Sequence, residues 1–216
     1  GMLWPEFMKH AGPIIGMPFS LEGAAFFVEA IALGFYLYGW NKLPEKFHWF
    51  TGVIIGISGV LSGILVVAAN GWMNAPSGFE YINGEFTNVD PVQAFLNPAW
   101  FSQALHMTLA AFVATSFGVA GIHAFQILRG KSVEVHKSAF KIAICFGAIA
   151  ALLQSISGDI SAKDVAERQP AKLAAMEAHF ETEEGAPLFL GGIVDEENKE
   201  VNYKIEIPNA LSFLAF

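Results

Sequence analysis

The chain has 216 residues, 54% hydrophobic and only 15% charged, with a mean hydropathy of +0.46 and a formal net charge of -8. A soluble domain carries about a quarter charged residues, so much of this surface faces something other than water, and the bilayer is the simple answer. The acidity argues against nucleic acid, which needs a basic face, and it is segregated: residues 158–216 hold 12 Asp and Glu against five Lys and Arg.

The chain opens on Gly1 and not on Met, so a piece of a longer polypeptide is expected. Its first residues do not read as a signal peptide, lacking a basic start and a small-residue cleavage site. Residues 1–17 read as an amphipathic entry segment on the outer surface. A membrane span needs about 20 mainly apolar residues, and four stretches qualify: 18–40, 47–70, 98–128 and 138–157. Pro18 and Pro98 suit a first helical turn, where the missing N–H costs nothing. The third stretch is long enough to tilt or to extend beyond the bilayer. Cys145, the only cysteine, lies in the fourth and reads as a small packing residue.

Direction follows from Lys and Arg in the short loops. Lys42 and Lys46 join the first two spans; Arg129, Lys131 and Lys137 join the last two, with Lys141 just beyond. The 71–97 segment has neither Lys nor Arg but carries Glu80, Glu85 and Asp90. The two basic loops therefore face the cytoplasm, and the 71–97 segment and the tail face outside. Trp4, Trp40, Trp49, Trp72 and Trp100 all fall near boundaries, as an aromatic belt requires. In the tail, 171–182 reads as a short amphipathic helix, and 187–194 with 200–207 as two strands joined by the polar run 195–199. The fold class is an all-α integral membrane protein: a bundle of four transmembrane helices, plus an extracytoplasmic loop (158–216) with a short helix and a β-hairpin.

Several residues are out of place in a membrane. Glu22 and Glu29 lie in the first span amid Phe26, Phe27, Val28 and Ile31. Seven residues make about two turns, so both carboxylates share one face about 10 Å apart along the axis. A carboxylate at that depth costs a few kcal/mol and normally faces a protein interior, a cofactor or a water path. Two on one stripe favour a proton-handling role over a structural pair. His106 lies two turns into the third span, and Ala110, Ala114 and Gly118 form a small-residue stripe below it, which lets a helix or a flat cofactor approach. An axial haem ligand and a histidine bonded to a neighbouring helix both fit, and pattern alone favours the second. Ser62 and Asn70 on the second span suit either a proton path from Glu29 or interhelical contacts. His10, His48 and His136 read as solvated and His123 as interfacial. Lys172 and Glu177 are five apart on the short helix, on different faces. They suit a polar quinone headgroup or, as the pattern favours, a solvated face.

Together these residues resemble a known family. Leu21-Glu22-Gly23, Ala25-Phe26-Phe27-Val28-Glu29 and Gly39-Trp40 resemble the third helix of cytochrome bd-type quinol oxidase subunit I. Leu61-Ser62 with Ala69-Asn70-Gly71-Trp72-Met73 is similar to its fourth, and Asn97-Pro98 with His106 to its fifth. Lys172-Leu173-Ala174-Ala175-Met176-Glu177-Ala178, with Glu181-Thr182, resembles the start of its quinol-binding loop. The resemblance implies that His106 ligates a low-spin haem b, and that Glu22 stands beside a high-spin haem pair (a haem b with a haem d or a further haem b). It implies that Glu29 and Ser62 belong to a proton path and that Lys172 and Glu177 bind quinol. The implied activity is quinol oxidation near the outer surface and reduction of oxygen to water, with protons from inside. The implied setting is a bacterial or archaeal inner membrane. The implied partners are ubiquinol or menaquinol, oxygen, a second oxidase subunit and a small accessory membrane subunit.

The family's N-terminal haem-ligating His, its later Met and Glu ligands and its Gly-Arg-Gln-Pro-Trp motif have no counterpart in this sequence. The expectation is therefore a partial or split subunit carrying the third to sixth helices. Two rival readings remain: a proton-coupled transporter without haem, and a non-catalytic paralogue held in a membrane complex.

Overall fold

The computed structural model describes residues 4–130 and 134–215. They form two compact units, residues 1–151 and 152–216, which divide within one long helix. Among the described residues, four helices are long and apolar enough to cross a membrane: α1 (Pro5–Tyr38), α2 (Glu45–Asn74), α4 (Trp100–Leu128) and α5 (Glu134–Arg168). The 71–97 segment adds the strands β1 (Glu80–Ile82) and β2 (Glu85–Thr87) and the short helix α3 (Pro91–Phe95).

The expected entry segment is not a separate element. From Pro5 it is continuous with the first span, making a helix of 34 residues with Pro13 and Pro18 inside it. Each proline removes one i→i−4 bond; in a spanning helix neighbouring groups offset that loss. What holds the added turns is burial. Ile14 and Ile15, 0% and 2% exposed, pack with Ala11, Ala69, Trp72 and Ala94 in the core of this unit. Each buried Ile contributes about 1.5–3 kcal/mol.

β1 and β2 pair antiparallel through Asn83 and Gly84, both at positive φ (53° and 87°). That is the Asn-Gly signature of a tight hairpin. Phe79 and Phe86 from this hairpin pack on the Ile14 core. Asp90 caps α3 by accepting from the backbone N–H groups of Val92 and Gln93 at 2.9 and 3.1 Å. Buried Asn97 then ties the elbow to α2, donating to the carbonyls of Ala68 at 2.9 Å and Ala94 at 3.0 Å.

α1 and α2 run antiparallel. At one end the Ile14 core joins them; at the other, His48 Nε2 bonds the Tyr36 carbonyl at 2.8 Å and its ring stacks on Tyr36 at 4.7 Å. His48 is thus a packed histidine and not the solvated one expected. The turn between them is tight: a Cβ at Gly39 would collide with the Phe35 carbonyl. α4 meets α2 where Met107 lies against Gly63 and Trp100 against Gly71. α4 meets α5 through the Phe112 and Phe146 rings, 5.4 Å apart and edge-on.

The second unit begins inside α5. The fourth span was expected to end at 157, but the helix continues to Arg168, supported by Lys163–Asp159 (3.1 Å) and Arg168–Asp164 (3.3 Å) at i,i+4 spacing. The predicted helix over 171–182 is only α6 (Pro170–Met176). Ala178 turns left-handed (φ 57°) and the His179 N–H reaches back to the Ala174 carbonyl at 2.8 Å, closing the helix. The predicted hairpin forms as two short ladders. β3 (Leu188–Leu190) pairs with β6 (Ile205–Ile207), and β4 (Ile193–Asp195) with β5 (Glu200–Asn202), all antiparallel. Gly191 and Gly192 at positive φ break it opposite Tyr203 and Lys204. A last helix, α7 (Ala210–Ala215), was not expected.

Candidate functional site

The carboxylates of α1 turn toward α2 while their apolar neighbours turn away. Phe26, Phe27 and Ile31 are well exposed, whereas Glu22 and Glu29 are half-buried. The Ser62 hydroxyl on α2 donates to Glu22 Oε1 at 3.3 Å. One turn along α2, the Glu29 carboxylate lies over Gly59, where a Cβ would stand 3.6 and 3.7 Å from its two oxygens. A glycine there leaves room for the carboxylate, and alanine would just fit. Glu22, Ser62, Glu29 and Gly59 thus form a polar seam within an apolar helix pair. The seam can accept, hold or pass protons, because each carboxylate is held without a fixed cation among these contacts.

Ser62 is joined to Glu22 and not to Glu29, from which the path was expected to extend. Asn70 is exposed and engaged with Asn74, whose side-chain amide donates to the Asn70 carbonyl and Oδ1 at 2.9 and 3.0 Å. It lies outside the seam. Gly59 and Gly63 were not singled out in the sequence; glycines at 52, 56, 59 and 63 on one apolar helix were the available signal.

His106 is half-buried on α4. Its neighbour Met107 rests its methyl group on α2, so close that a Cβ at Gly63 would be 2.9 Å away. The stretch of α2 from Gly59 to Gly63 therefore meets both the carboxylates of α1 and the turn of α4 that carries His106. The stripe Ala110, Ala114 and Gly118 is exposed, and nothing among the described residues lies within 4 Å of a Cβ at Gly118. Near the start of α4, Trp100 Nε1 and Asn97 Oδ1 are buried without a hydrogen-bond partner among the described residues.

Lys172 and Glu177 fall in the second unit. Lys172 is exposed on α6, and Glu177 is the half-buried residue that ends it. His179, missed in the sequence, is the best-held polar side chain nearby. It bonds the Pro187 carbonyl at 2.9 Å, approaches Glu183 at 3.4 Å and stacks on Phe189 at 4.6 Å. Lys204 caps the Phe189 ring at 4.1 Å and pairs with Glu206 at 2.9 Å. In the hairpin turn, the Asn198 side-chain amide, with the N–H groups of Asn198 and Glu197, holds the Asp195 carboxyl below its usual 3.8. No group of three or more metal-ligating side chains occurs among the described residues.

Over residues 1–216 the chain matches the family described as cytochrome bd terminal oxidase subunit I. The solved structure of bd oxidase from Geobacillus thermodenitrificans superposes with a TM-score of 0.87 at 40% identity, covering 98% of this chain and 49% of that one. A relative from Bacillus subtilis (strain 168), provisionally named a cytochrome bd menaquinol oxidase subunit I, is 38% identical over 99% of this chain and 49% of its own. The cytochrome bd-II ubiquinol oxidase subunit 1 of Escherichia coli (strain K12) is 30% identical over 100% of this chain and 43% of its own. The chain spans about half the length of the curated relatives it matches. The match runs through all four apolar helices and the carboxylate seam alike, and the chain belongs to the cytochrome bd terminal oxidase subunit I family.

Proposed function

We propose that this chain is part of a membrane quinol:oxygen oxidoreductase, in which the seam between α1 and α2 delivers protons to the oxygen-reducing site. The observation that carries the reading is the Ser62–Glu22 hydrogen bond at 3.3 Å, with Glu29 set over Gly59 on the next turn. A transmembrane carboxylate kept on a conformable hydroxyl partner can load and release a proton at modest cost, whereas one locked to a cation cannot.

The residues present fit a haem, whose iron His106 would hold. His106 offers an imidazole nitrogen from a half-buried site on an apolar helix. The exposed stripe of Ala110, Ala114 and Gly118 leaves a flat face beside it, and the buried Trp100 Nε1 is a donor suited to a carboxylate of such a group. In this reading His106 holds a low-spin haem b, and Glu22 stands beside the high-spin haem pair, a haem b with a haem d or a second haem b. Haem, when bound, supplies one-electron transfer and the iron at which oxygen is reduced. Glu29 receives a proton from the cytoplasmic side, and the Glu22–Ser62 pair holds the next one. Lys172 and Glu177 bind the headgroup of ubiquinol or menaquinol at the outer surface. A second oxidase subunit and a small accessory subunit complete the complex in the cell membrane, with residues 158–216 on the extracytoplasmic side.

The test is a reduced-minus-oxidised spectrum of the purified complex together with quinol-driven oxygen consumption. The reading requires haem bands and consumption together. Bands absent, with proton-coupled uptake of a solute, would establish the transporter instead. Bands present without consumption would establish the non-catalytic paralogue.

A further inference from the structure

His123, near the end of α4, and His136, in the first turns of α5, bring their Nδ1 atoms to 2.8 Å, with ring centroids 5.1 Å apart and planes at 48°. Both are half-buried. This contact requires one Nδ1 to carry a hydrogen and the other to present a lone pair, so one proton is shared between the two rings. Neither the carboxylate seam nor the His106 region uses this pair.

Two imidazole nitrogens aimed at one point form the nucleus of a metal site. A zinc-class ion binds neutral imidazole at about 2.0–2.1 Å, which at a tetrahedral angle sets the two nitrogens roughly 3.3 Å apart. The observed 2.8 Å is narrower by about 0.5 Å, a gap that small rotations of the two rings open. The ion would take the place of the shared proton. The two rings already meet across α4 and α5, so the chelating pair is assembled before any ion arrives. The surroundings are cationic but partly neutralised. Lys137 pairs with Glu134 at 3.9 Å, and the Arg129 guanidinium is drawn over the Phe125 ring at 4.7 Å. These charges weaken the site and keep it exchangeable.

We propose that His123 and His136 form a two-imidazole binding site for a divalent transition ion of the zinc class where the end of α4 meets the start of α5, with water in the remaining coordination positions. This site is independent of the oxidase reading and stands or falls apart from it.

The experiment uses the intact complex after chelator treatment, titrated with Zn2+ against a chromogenic chelator at neutral pH. One Zn2+ is expected per chain, lost or weakened at least tenfold in His123→Ala and in His136→Ala and unchanged in His10→Ala. Affinity is expected to fall on acidification, because protons compete with the ion for the ring nitrogens. A second measurement needs no variant: in the parent complex, Zn2+ should protect His123 and His136 from imidazole acylation, read residue by residue by mass spectrometry. Parent-like affinity in both histidine variants, no uptake by the parent at millimolar Zn2+, or unchanged acylation of the pair would each overturn the proposal.

Discussion

The two units treat polar groups in opposite ways. In the first, Phe26, Phe27 and Ile31 are 59%, 70% and 62% exposed, while Glu22 and Glu29 from the same helix turn inward to Ser62 and Gly59. In the second, polar residues answer one another within a few positions: Asp159 with Lys163, Asp164 with Arg168, Asp195 with Asn198, Lys204 with Glu206. A carboxylate in an apolar helix is costly, so its presence carries information. The same group in the acidic tail is cheap and carries little. That is why the seam can be argued from geometry, whereas the quinol role of Lys172 and Glu177 rests on resemblance.

Substitutions in the two units should differ accordingly. The largest effect is expected for His106→Ala, which should remove the low-spin haem b band entirely while the protein stays inserted. Retention of that band in the purified mutant complex would end the ligand assignment. Next comes Ile14→Ala, which empties a fully buried site and should cost about 2–5 kcal/mol. A thermal midpoint equal to that of the parent complex would show that the Ile14 core does not hold α1 to α2. Ser62→Ala removes the hydrogen bond to Glu22 and should slow oxygen consumption several-fold with all haem bands intact. Unaltered turnover would reduce Ser62 to helix packing.

The smallest effect belongs to the tail. The folded-state pKa of Asp195 is depressed below 3.8 by its turn hydrogen bonds. The stability it contributes is therefore present above the unfolded pKa and lost as pH falls through the lower folded value. Amide exchange at Glu197 and Asn198, corrected for its intrinsic pH dependence, should lose protection only below about pH 4. Loss of protection near neutral pH would contradict this.

The four spans were legible because each is an apolar run of bilayer length, and so were the hairpin strands, an apolar run at 187–194 and an alternating one at 200–207 joined by a polar run. The start of α1 was not: Pro18 read as a boundary, and only packing of Ile14 and Ile15 against Trp72 and Ala94 overrides it. The β1–β2 hairpin carried a readable Asn83-Gly84 signal that went unused, as did the i,i+4 charge pairs extending α5. The end of α6 carried no such signal, since alanine at Ala178 seldom turns left-handed. In the site, Glu22 and Glu29 were legible as one stripe, and Ser62 as a residue suited to a path from Glu29. That Ser62 meets Glu22 while Gly59 meets Glu29 depends on the register of α1 against α2, which neither segment encodes by itself. His123 read as interfacial and His136 as solvated for the same reason: their pairing joins two helices.

The central claim, that the seam feeds protons to oxygen reduction, is tested most directly by Glu29→Gln in the assembled complex. Quinol-driven oxygen consumption should fall at least about tenfold, within the range set by loss of a positioned proton-transfer group, with the haem spectrum and Kd for quinol unchanged. Parent-like consumption with intact haem bands would contradict the account and leave Glu29 a structural carboxylate.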